Sequence, residues 1–155
     1  MERGTLLIMR RAILHTLLFI ILGIAGRGHA STETLVLVVR ADSHVLDLDS
    51  VTVRKLFLGL PVLIDGTPLH PLRNRSDERL DPIFLQEIVA MSQSAYERQI
   101  LIGVNRQGRL RPVEVTSVSR ALDALYKDPN AVTFMWLRDV AHNSKVRVIR
   151  ELWSD

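Results

Sequence analysis

The residues best suited to binding a ligand lie in a short arginine-rich segment, residues 73–79, with the sequence RNRSDER. The segment joins the end of a predicted strand to the start of a predicted helix, where free backbone N–H groups and the helix dipole favour an anion. Guanidinium groups add forked donors that suit oxyanions. We therefore predict a small-oxyanion site formed by Arg75, Ser76 and Arg79.

The same segment also fits a solvated loop that binds no ligand. Asp77 and Glu78 can neutralise the neighbouring arginines, and surface pairs of arginine and carboxylate are common. A second basic loop, with Arg106, Arg109 and Arg111, leaves the same two interpretations open.

The other polar residues do not form a catalytic or metal-binding pattern. Four ligand-type side chains lie within residues 42–49, but the glycine and the final glutamate of an EF-hand are missing, and acidic residues before a helix usually serve as caps. His70 and His142 have no nucleophile or carboxylate partner at motif spacing. The chain has no cysteine, which excludes disulfides and thiolate sites. We predict no metal, no cofactor and no enzymatic activity.

The amino terminus has the three parts of a secretory signal peptide. Basic residues precede an apolar run over residues 12–25, and the small residues Gly28 and Ala30 stand at −3 and −1 of a cleavage after Ala30. Translation from Met1 or from Met9 gives such a leader. An uncleaved membrane anchor is the alternative, although the run is shorter than the roughly 20 apolar residues of a spanning helix. We predict that residues 1–30 are a signal peptide and that residues 31–155 are periplasmic.

The leader also decides the charge balance. The whole chain has 20 basic and 17 acidic residues, and the leader holds four arginines and one glutamate, so residues 31–155 keep 16 of each sign. A nucleic-acid-binding surface needs a basic excess. We therefore predict no nucleic-acid partner, and membrane contact only through an uncleaved leader. The remaining length suits one domain.

The elements that must position the arginine-rich segment alternate between strand and helix. Residues 35–39 form a continuous run of Val and Leu, typical of a strand buried on both faces in a parallel sheet. Further strands are predicted over residues 69–73, 132–137 and 145–149. This alternation predicts an α/β fold, a single three-layer domain with a mostly parallel or mixed sheet flanked by helices.

Four helices are predicted between these strands from capping residues and apolar stripes. The first is capped by Asp49 or Ser50, the second begins after Ser76 or Asp81, the third opens with a capping box at Ser94 and ends at Ile102, and the fourth is capped by Ser117. Residues 103–112 are predicted to be a loop, and Phe57, Phe84 and Leu122 are predicted to be buried.

Four short motifs resemble, in their order, the phosphate-binding proteins of ABC importers: LFLG at residues 56–59, DGTP at residues 65–68, the arginine-rich segment, and NAVTF at residues 130–134. Ser76 and Arg79 match the Ser-x-x-Arg helix start of that family. The resemblance covers most of residues 31–155. It implies one lobe of a type 2 periplasmic binding protein, with phosphate or sulfate as the ligand. Full members have two lobes that close by a hinge.

We combine the predicted signal peptide, the fold class and the family resemblance. Together they predict a non-enzymatic periplasmic solute-binding-like module for phosphate or another small oxyanion, linked to an inner-membrane transporter or sensor. The alternative is an envelope protein-interaction or regulatory domain that keeps the fold without the ligand. The acidic pair Asp77 and Glu78 favours this alternative. So do Thr133 and Phe134, which stand where the family has Gly and Tyr.

Overall fold

The computed structural model describes residues 33–155. The predicted signal peptide, its cleavage after Ala30 and the choice between Met1 and Met9 fall outside the described residues and stay predictions. Within residues 33–155, every helix falls short of the length and hydropathy that a membrane span requires.

Five strands form a mixed sheet in the order β5-β4-β6-β1-β7, and two short strands form a separate hairpin. Strand β4 runs parallel to β5 and β6, whereas β1 runs antiparallel to β6 and β7. Four of the five strands therefore point in one direction. The strands are β1 (Thr34–Arg40), β2 (Leu63–Ile64), β3 (Thr67–Pro68), β4 (His70–Asn74), β5 (Val113–Val115), β6 (Ala131–Trp136) and β7 (Val146–Ser154).

Helices cover both faces of the sheet, so the predicted three-layer α/β architecture is confirmed. One core cluster packs α1, the π-helical turn and α3 against one face, and a second packs α4 and α5 against the other. The helices are α1 (Ser50–Phe57), α2 (Leu80–Ile83), the π turn (Phe84–Ile88), α3 (Gln93–Gln107), α4 (Val118–Lys127) and α5 (Leu137–Val140).

Strand β1 is buried on both faces, as its run of Val and Leu predicts, and residues 35–39 are all at most 2% exposed. The parallel direction inferred from the same run is wrong, because β1 pairs antiparallel with both neighbours. Burial on both faces follows from the two helix layers, whichever way the strand runs.

Two predicted caps are confirmed. Asp49 accepts a hydrogen bond from the Thr52 N–H at 2.8 Å, and the Ser117 hydroxyl accepts one from the Arg120 N–H at 3.3 Å. The DGTP segment contains the turn that joins β2 to β3, with positive φ at Asp65 (49°).

The predicted start of the second helix is wrong. Neither Ser76 nor Asp81 caps it; α2 begins at Leu80 without a side-chain cap and continues directly into the π turn. The Asp81 carboxylate binds arginines of β4 and the following loop, which removes it as a cap.

Helix α3 is longer than predicted and starts earlier. Ser92, not Ser94, accepts the capping bond, from the Ala95 N–H at 3.3 Å. The helix runs through Gly103 to Gln107, where the predicted loop should already have begun. Gly103 serves packing, because a Cβ there would lie 3.0 Å from Cδ of Arg109.

An aromatic cluster forms the centre of the core. The ring of Phe84 lies 5.7 Å from that of Phe57, 5.3 Å from Phe134 and 5.2 Å from Tyr96. Phe57 and Phe84 are fully buried, as predicted. Leu122 is only partly buried, because the inward face of α4 is occupied by Ala121 and Leu125.

Strand β7 lies at one edge of the sheet and spans nine residues. Its pairing with β1 is irregular, with register shifts between Leu35 and Val36 and between Leu37 and Val38. These shifts are β-bulges on the β7 side, which bend and twist the strand.

Candidate functional site

The parallel strands β5, β4 and β6 end at the same edge of the sheet, which we call the carboxyl edge. After β4 the chain continues to the π turn and α3 on one face, whereas after β6 it continues to α5 on the other. Ligands of open α/β sheets bind outside the carboxyl ends of the strands, where neighbouring connections diverge in this way. The gap between the ends of β4 and β6 is therefore the place to look for a site.

Four charged side chains occupy this gap and form what we call the edge network: Glu33, Asp77, Arg79 and Arg138. Glu33 accepts a hydrogen bond from each guanidinium, with a different carboxylate oxygen for each. Asp77 Oδ2 lies 3.0 Å from Nη2 of Arg79 and 3.4 Å from Nη2 of Arg138. Each arginine thus contacts both carboxylates, and the network carries no net charge.

Trp136, the last residue of β6, supports the edge network. The guanidiniums of Arg79 and Arg138 each lie 5.2 Å from its ring centroid, and its indole N–H donates to Asp77 Oδ2 at 3.1 Å. Its ring also packs against that of Trp153, with centroids 6.1 Å apart. Trp136 is a buried packing residue, 2% exposed, and it also holds the charged groups of the edge network in place.

Hydrogen bonds from the Arg79 side chain and backbone, with a smaller contribution from Trp136, lower the pKa of Asp77 to about 2. Asp77 is therefore ionised at neutral pH and stays paired with Arg79. The hydrogen bond between the Asp77 and Arg79 side chains also raises the pKa of the Arg79 guanidinium.

Three of the five backbone N–H groups of residues 76–80 already have partners within the segment. The Ser76 N–H donates to Oδ1 of Asn74 at 2.9 Å, and the Arg79 N–H donates to Oδ1 of Asp77 at 2.9 Å. The Leu80 N–H donates to the Asp77 carbonyl at 3.1 Å.

A second cluster, the inner network, lies between β4, β5 and α3. Its two exposed arginines are paired: Arg75 Nη2 lies 2.8 Å from Asp81 Oδ2, and Arg111 Nη2 lies 2.7 Å from Glu97 Oε2. The network balances three arginines against three carboxylates: Arg73, Arg75 and Arg111 against Asp81, Glu97 and Glu114.

Arg73 is the buried member of the inner network, and its side chain is only 2% exposed. Its guanidinium lies 4.7 Å from the ring centroid of Phe84 and 4.8 Å from that of Tyr96. Nη2 donates to Asp81 at 3.0 Å, and Nη1 lies 3.6 Å from both Glu97 and Glu114. Its Nε has no partner within the described part of the chain.

The structure thus keeps Arg75, Ser76 and Arg79 on one loop but divides their charges between two networks. Arg75 belongs to the inner network and is 43% exposed; Arg79 belongs to the edge network and is 51% exposed. Both arginines have carboxylate partners, in agreement with the ion-paired interpretation of this segment.

Glu33, Arg73 and Arg138 were not among the predicted site residues. Arg138 follows the end of β6, and Arg73 lies near the end of β4, so both stand beside carboxyl ends of parallel strands. Their position at the ends of predicted strands could have marked both as site residues. Glu33 gave no such signal, because its contacts with Arg79 and Arg138 span 46 and 105 residues.

Two of the other polar candidates have a side-chain partner. Asp42 pairs with Arg40 at 2.5 Å, and Nδ1 of His70 lies 2.6 Å from Oδ2 of Asp128, a partner 58 residues away in sequence. Within residues 33–155, no three acidic or histidine side chains are arranged to hold a metal ion.

Comparison with solved structures identifies the fold. The chain is similar to a candidate phosphate ABC transporter substrate-binding protein from Clostridium perfringens with bound phosphate (TM-score 0.55, 13% identity, 77% of this chain and 45% of that one). It is also similar to PstS from Borrelia burgdorferi (TM-score 0.56, 10% identity, 76% of this chain and 47% of that one). A third similar structure is a candidate phosphate-binding protein from Planctomyces limnophilus (TM-score 0.55, 10% identity, 77% of this chain and 41% of that one).

The chain spans less than half the length of each of these proteins. It therefore has the fold of one periplasmic-binding-protein lobe, as the sequence motifs predict. No protein-family model matches the sequence, and no curated protein matches it.

Proposed function

We propose that this chain, which has the fold of one lobe of a periplasmic binding protein, is a non-enzymatic module of the cell envelope that binds a protein partner through its carboxyl edge. The edge network carries the proposal, because Glu33 and Asp77 already occupy both guanidiniums at the position where the fold would place a ligand. The domain thereby neutralises its own would-be anion site.

The composition of this edge supports contact with a protein. Arg79 and Arg138 are about half exposed and are held in place by Trp136, and Leu137 beside them is 39% exposed. Arginine and aromatic side chains are enriched at protein interfaces, and ordering them in advance lowers the entropy lost on binding. An inner-membrane transporter or sensor is the partner that agrees with the transporter-associated fold and the predicted leader.

Site-directed crosslinking tests this proposal, since the chain has no cysteine of its own. Leu137→Cys places a crosslinker at the carboxyl edge. Leu46→Cys, which is 77% exposed in the segment after β1, is the matched control at the opposite edge. In intact envelopes we expect one discrete adduct from position 137, none from position 46, and loss of the adduct on Arg138→Glu. Equal adducts from both positions, or none from 137, would contradict the proposal.

A small oxyanion such as phosphate or sulfate, held by Arg75, Ser76 and Arg79, is the second candidate. The phosphate bound to the Clostridium perfringens protein of the same fold favours it. An anion would have to displace Glu33 and Asp77 from Arg79, or Asp81 from Arg75, so the internal carboxylates compete with it. A single lobe also leaves the anion in water, where screening weakens the charge interaction.

Thermal unfolding in phosphate against chloride at matched ionic strength separates the two candidates. A ligand at 100 times its dissociation constant stabilises the native state by about 2.7 kcal/mol. We expect no phosphate-specific shift in the parent protein, and a shift in Glu33→Gln/Asp77→Asn, where two guanidiniums are released. Asp47→Asn releases the exposed Arg150 and is the matched control. A shift in the parent that Arg79→Ala abolishes would instead establish the oxyanion candidate.

A further inference from the structure

A cleft lies where the end of α4 meets α5 and the turn that follows α5, residues 141–145. It has a volume of about 420 Å³, within the range of small-molecule sites, and is open to solvent. Tyr126 of α4, Asp139 of α5 and Lys145 of the turn line it. We call it the α5 cleft. Side chains of opposite charge therefore border one space that a small molecule could enter.

Asn143 holds the walls of the α5 cleft together. Its Nδ2 donates to the Tyr126 hydroxyl at 2.7 Å, and its Oδ1 accepts a hydrogen bond from the Lys145 N–H at 3.1 Å. The Asn143 N–H donates to the Val140 carbonyl at 3.0 Å, which ties the turn to the end of α5. Asn143 thus connects α4, α5 and the turn. A cleft that is formed before its ligand arrives loses less entropy on binding.

Asp139 is partly buried and yet lacks a hydrogen-bonding partner. Its side chain is 22% exposed, the same as that of Asp77, whose carboxylate accepts hydrogen bonds from Arg79. In the described part of the chain, no group donates a hydrogen bond to the Asp139 carboxylate, and Nε of Arg138 lies 3.9 Å from it. Burial raises the pKa of Asp139, because water is partly excluded from the charge. A donor from outside the chain would find this carboxylate available.

Lys145 supplies the opposite charge. Its Nζ lies 5.3 Å from the centroid of the Tyr126 ring, a cation–π contact that holds the ammonium group at the cleft. Asp42, which lines an adjoining cleft with Lys145, pairs with Arg40 at 2.5 Å instead. Lys145 and Asp139 line the same cleft but lie too far apart to form an ion pair with each other.

Two further basic side chains line the cleft and leave this balance unchanged. The Arg138 guanidinium is compensated by Glu33 and Asp77 of the edge network. His142 is exposed, and its ring can donate an N–H to a carboxylate in the neutral form as well as in the charged form. The charges that the cleft leaves without an ionic partner are therefore one carboxylate and one ammonium group.

We infer that the α5 cleft binds a small zwitterion, whose ammonium group contacts Asp139 and whose carboxylate contacts Lys145. Such a molecule bridges two opposite charges that the fold places in one cleft but keeps apart. A ligand with a negative charge alone would be repelled by Asp139, and one with a positive charge alone by Lys145. The Tyr126 hydroxyl accepts from Asn143 and keeps its own proton to donate to the ligand. This site is additional to the protein contact proposed for the carboxyl edge.

Titration followed by backbone NMR tests the inference with glycine, β-alanine and 4-aminobutanoate, which carry the two charged groups at increasing separation. We expect at least one of them to shift the amide resonances of residues 139–145 and to leave those of residues 76–79 in place. The dissociation constant should be on the order of millimolar, since the cleft is open to water. The N-acetyl derivative of that compound lacks the ammonium group and its amide lacks the carboxylate. Both should bind about tenfold more weakly or worse.

Matched variants assign the contacts, and the NMR spectrum of each one reports whether its fold is intact. Asp139→Asn and Lys145→Gln should each weaken binding of the zwitterion about tenfold. Asp123→Asn and Lys127→Gln, at exposed positions of α4 outside the cleft, should leave it unchanged. The inference is overturned if no zwitterion shifts residues 139–145, or if the control variants weaken binding as much as the cleft variants. Equal binding of the N-acetyl derivative would also overturn it and would identify a site for anions.

Discussion

Replacing Arg73 by methionine should destabilise the domain more than any single change to a surface arginine. The guanidinium is 2% exposed, donates to Asp81, lies 3.6 Å from two further carboxylates and packs between two aromatic rings. Methionine fills most of the same space but carries no charge. Three carboxylates would then share only the two exposed arginines of the inner network.

The magnitude follows from the burial. Removing one partner of a buried ion pair costs about 3–5 kcal/mol, because the other charge is left without compensation. Here the carboxylates are 28–33% exposed and can recover some hydration, which favours the lower end, about 3 kcal/mol. Arg150→Met is the matched control. Its pair with Asp47 is exposed, so its loss should cost less than about 1 kcal/mol.

Urea unfolding measures the loss of unfolding free energy in each variant, from the shift of the urea midpoint at constant slope. Adding Glu97→Gln and Glu114→Gln to Arg73→Met should recover part of the loss, since two uncompensated charges are removed with their partner. If Arg73→Met costs no more than Arg150→Met, or if the added substitutions recover nothing, the inner network does not stabilise the fold through charge compensation.

Three further predictions follow from features described above. Phe84→Ala removes a ring that contacts three other aromatic rings and should lower the free energy of unfolding by about 3–5 kcal/mol; a loss below about 1 kcal/mol in urea unfolding would contradict its place in the core. Folding lowers the pKa of Asp77 from 3.8 to about 2, so its pairing should contribute about 1 kcal/mol to the free energy of unfolding after solvent screening. This contribution should be fully present above about pH 4 and lost as the pH falls towards 2. Thermal unfolding of Asp77→Asn should lack that pH dependence. Mature protein from the envelope should begin at Ser31, and amino-terminal sequencing that finds residues 1–30 on membrane-bound protein would favour an anchor.

Local signals predicted the parts of this fold that local forces determine. Asp49 and Ser117 cap their helices as expected, because a side-chain oxygen two or three residues before a free N–H satisfies it whatever the tertiary structure. The capping box at Ser94 failed because Ser92 offers the same chemistry two residues earlier. Gly103 was read as the start of a loop, but the helix continues through it to Gln107, and a Cβ there would lie 3.0 Å from Cδ of Arg109.

The position of the arginine-rich segment was predictable from the sequence, but its contacts were not. The arginine-rich segment does lie at the carboxyl edge, because a strand followed by a helix in an α/β fold must turn there. Which carboxylate each arginine meets depends on strands far apart in sequence. The order β4-β6-β1 brings Glu33 and Arg138 to the end of β4, and no spacing within the sequence encodes that order.

The two register shifts along β7 have a consequence for how the domain behaves in a crowded compartment. Nine residues of edge strand offer a row of hydrogen-bonding groups on which another chain could assemble. A partner strand can follow a regular edge but cannot stay in step across two interruptions about three residues apart. The bulges therefore keep the longest edge of the sheet from recruiting neighbouring copies, and contacts between molecules are left to side-chain surfaces.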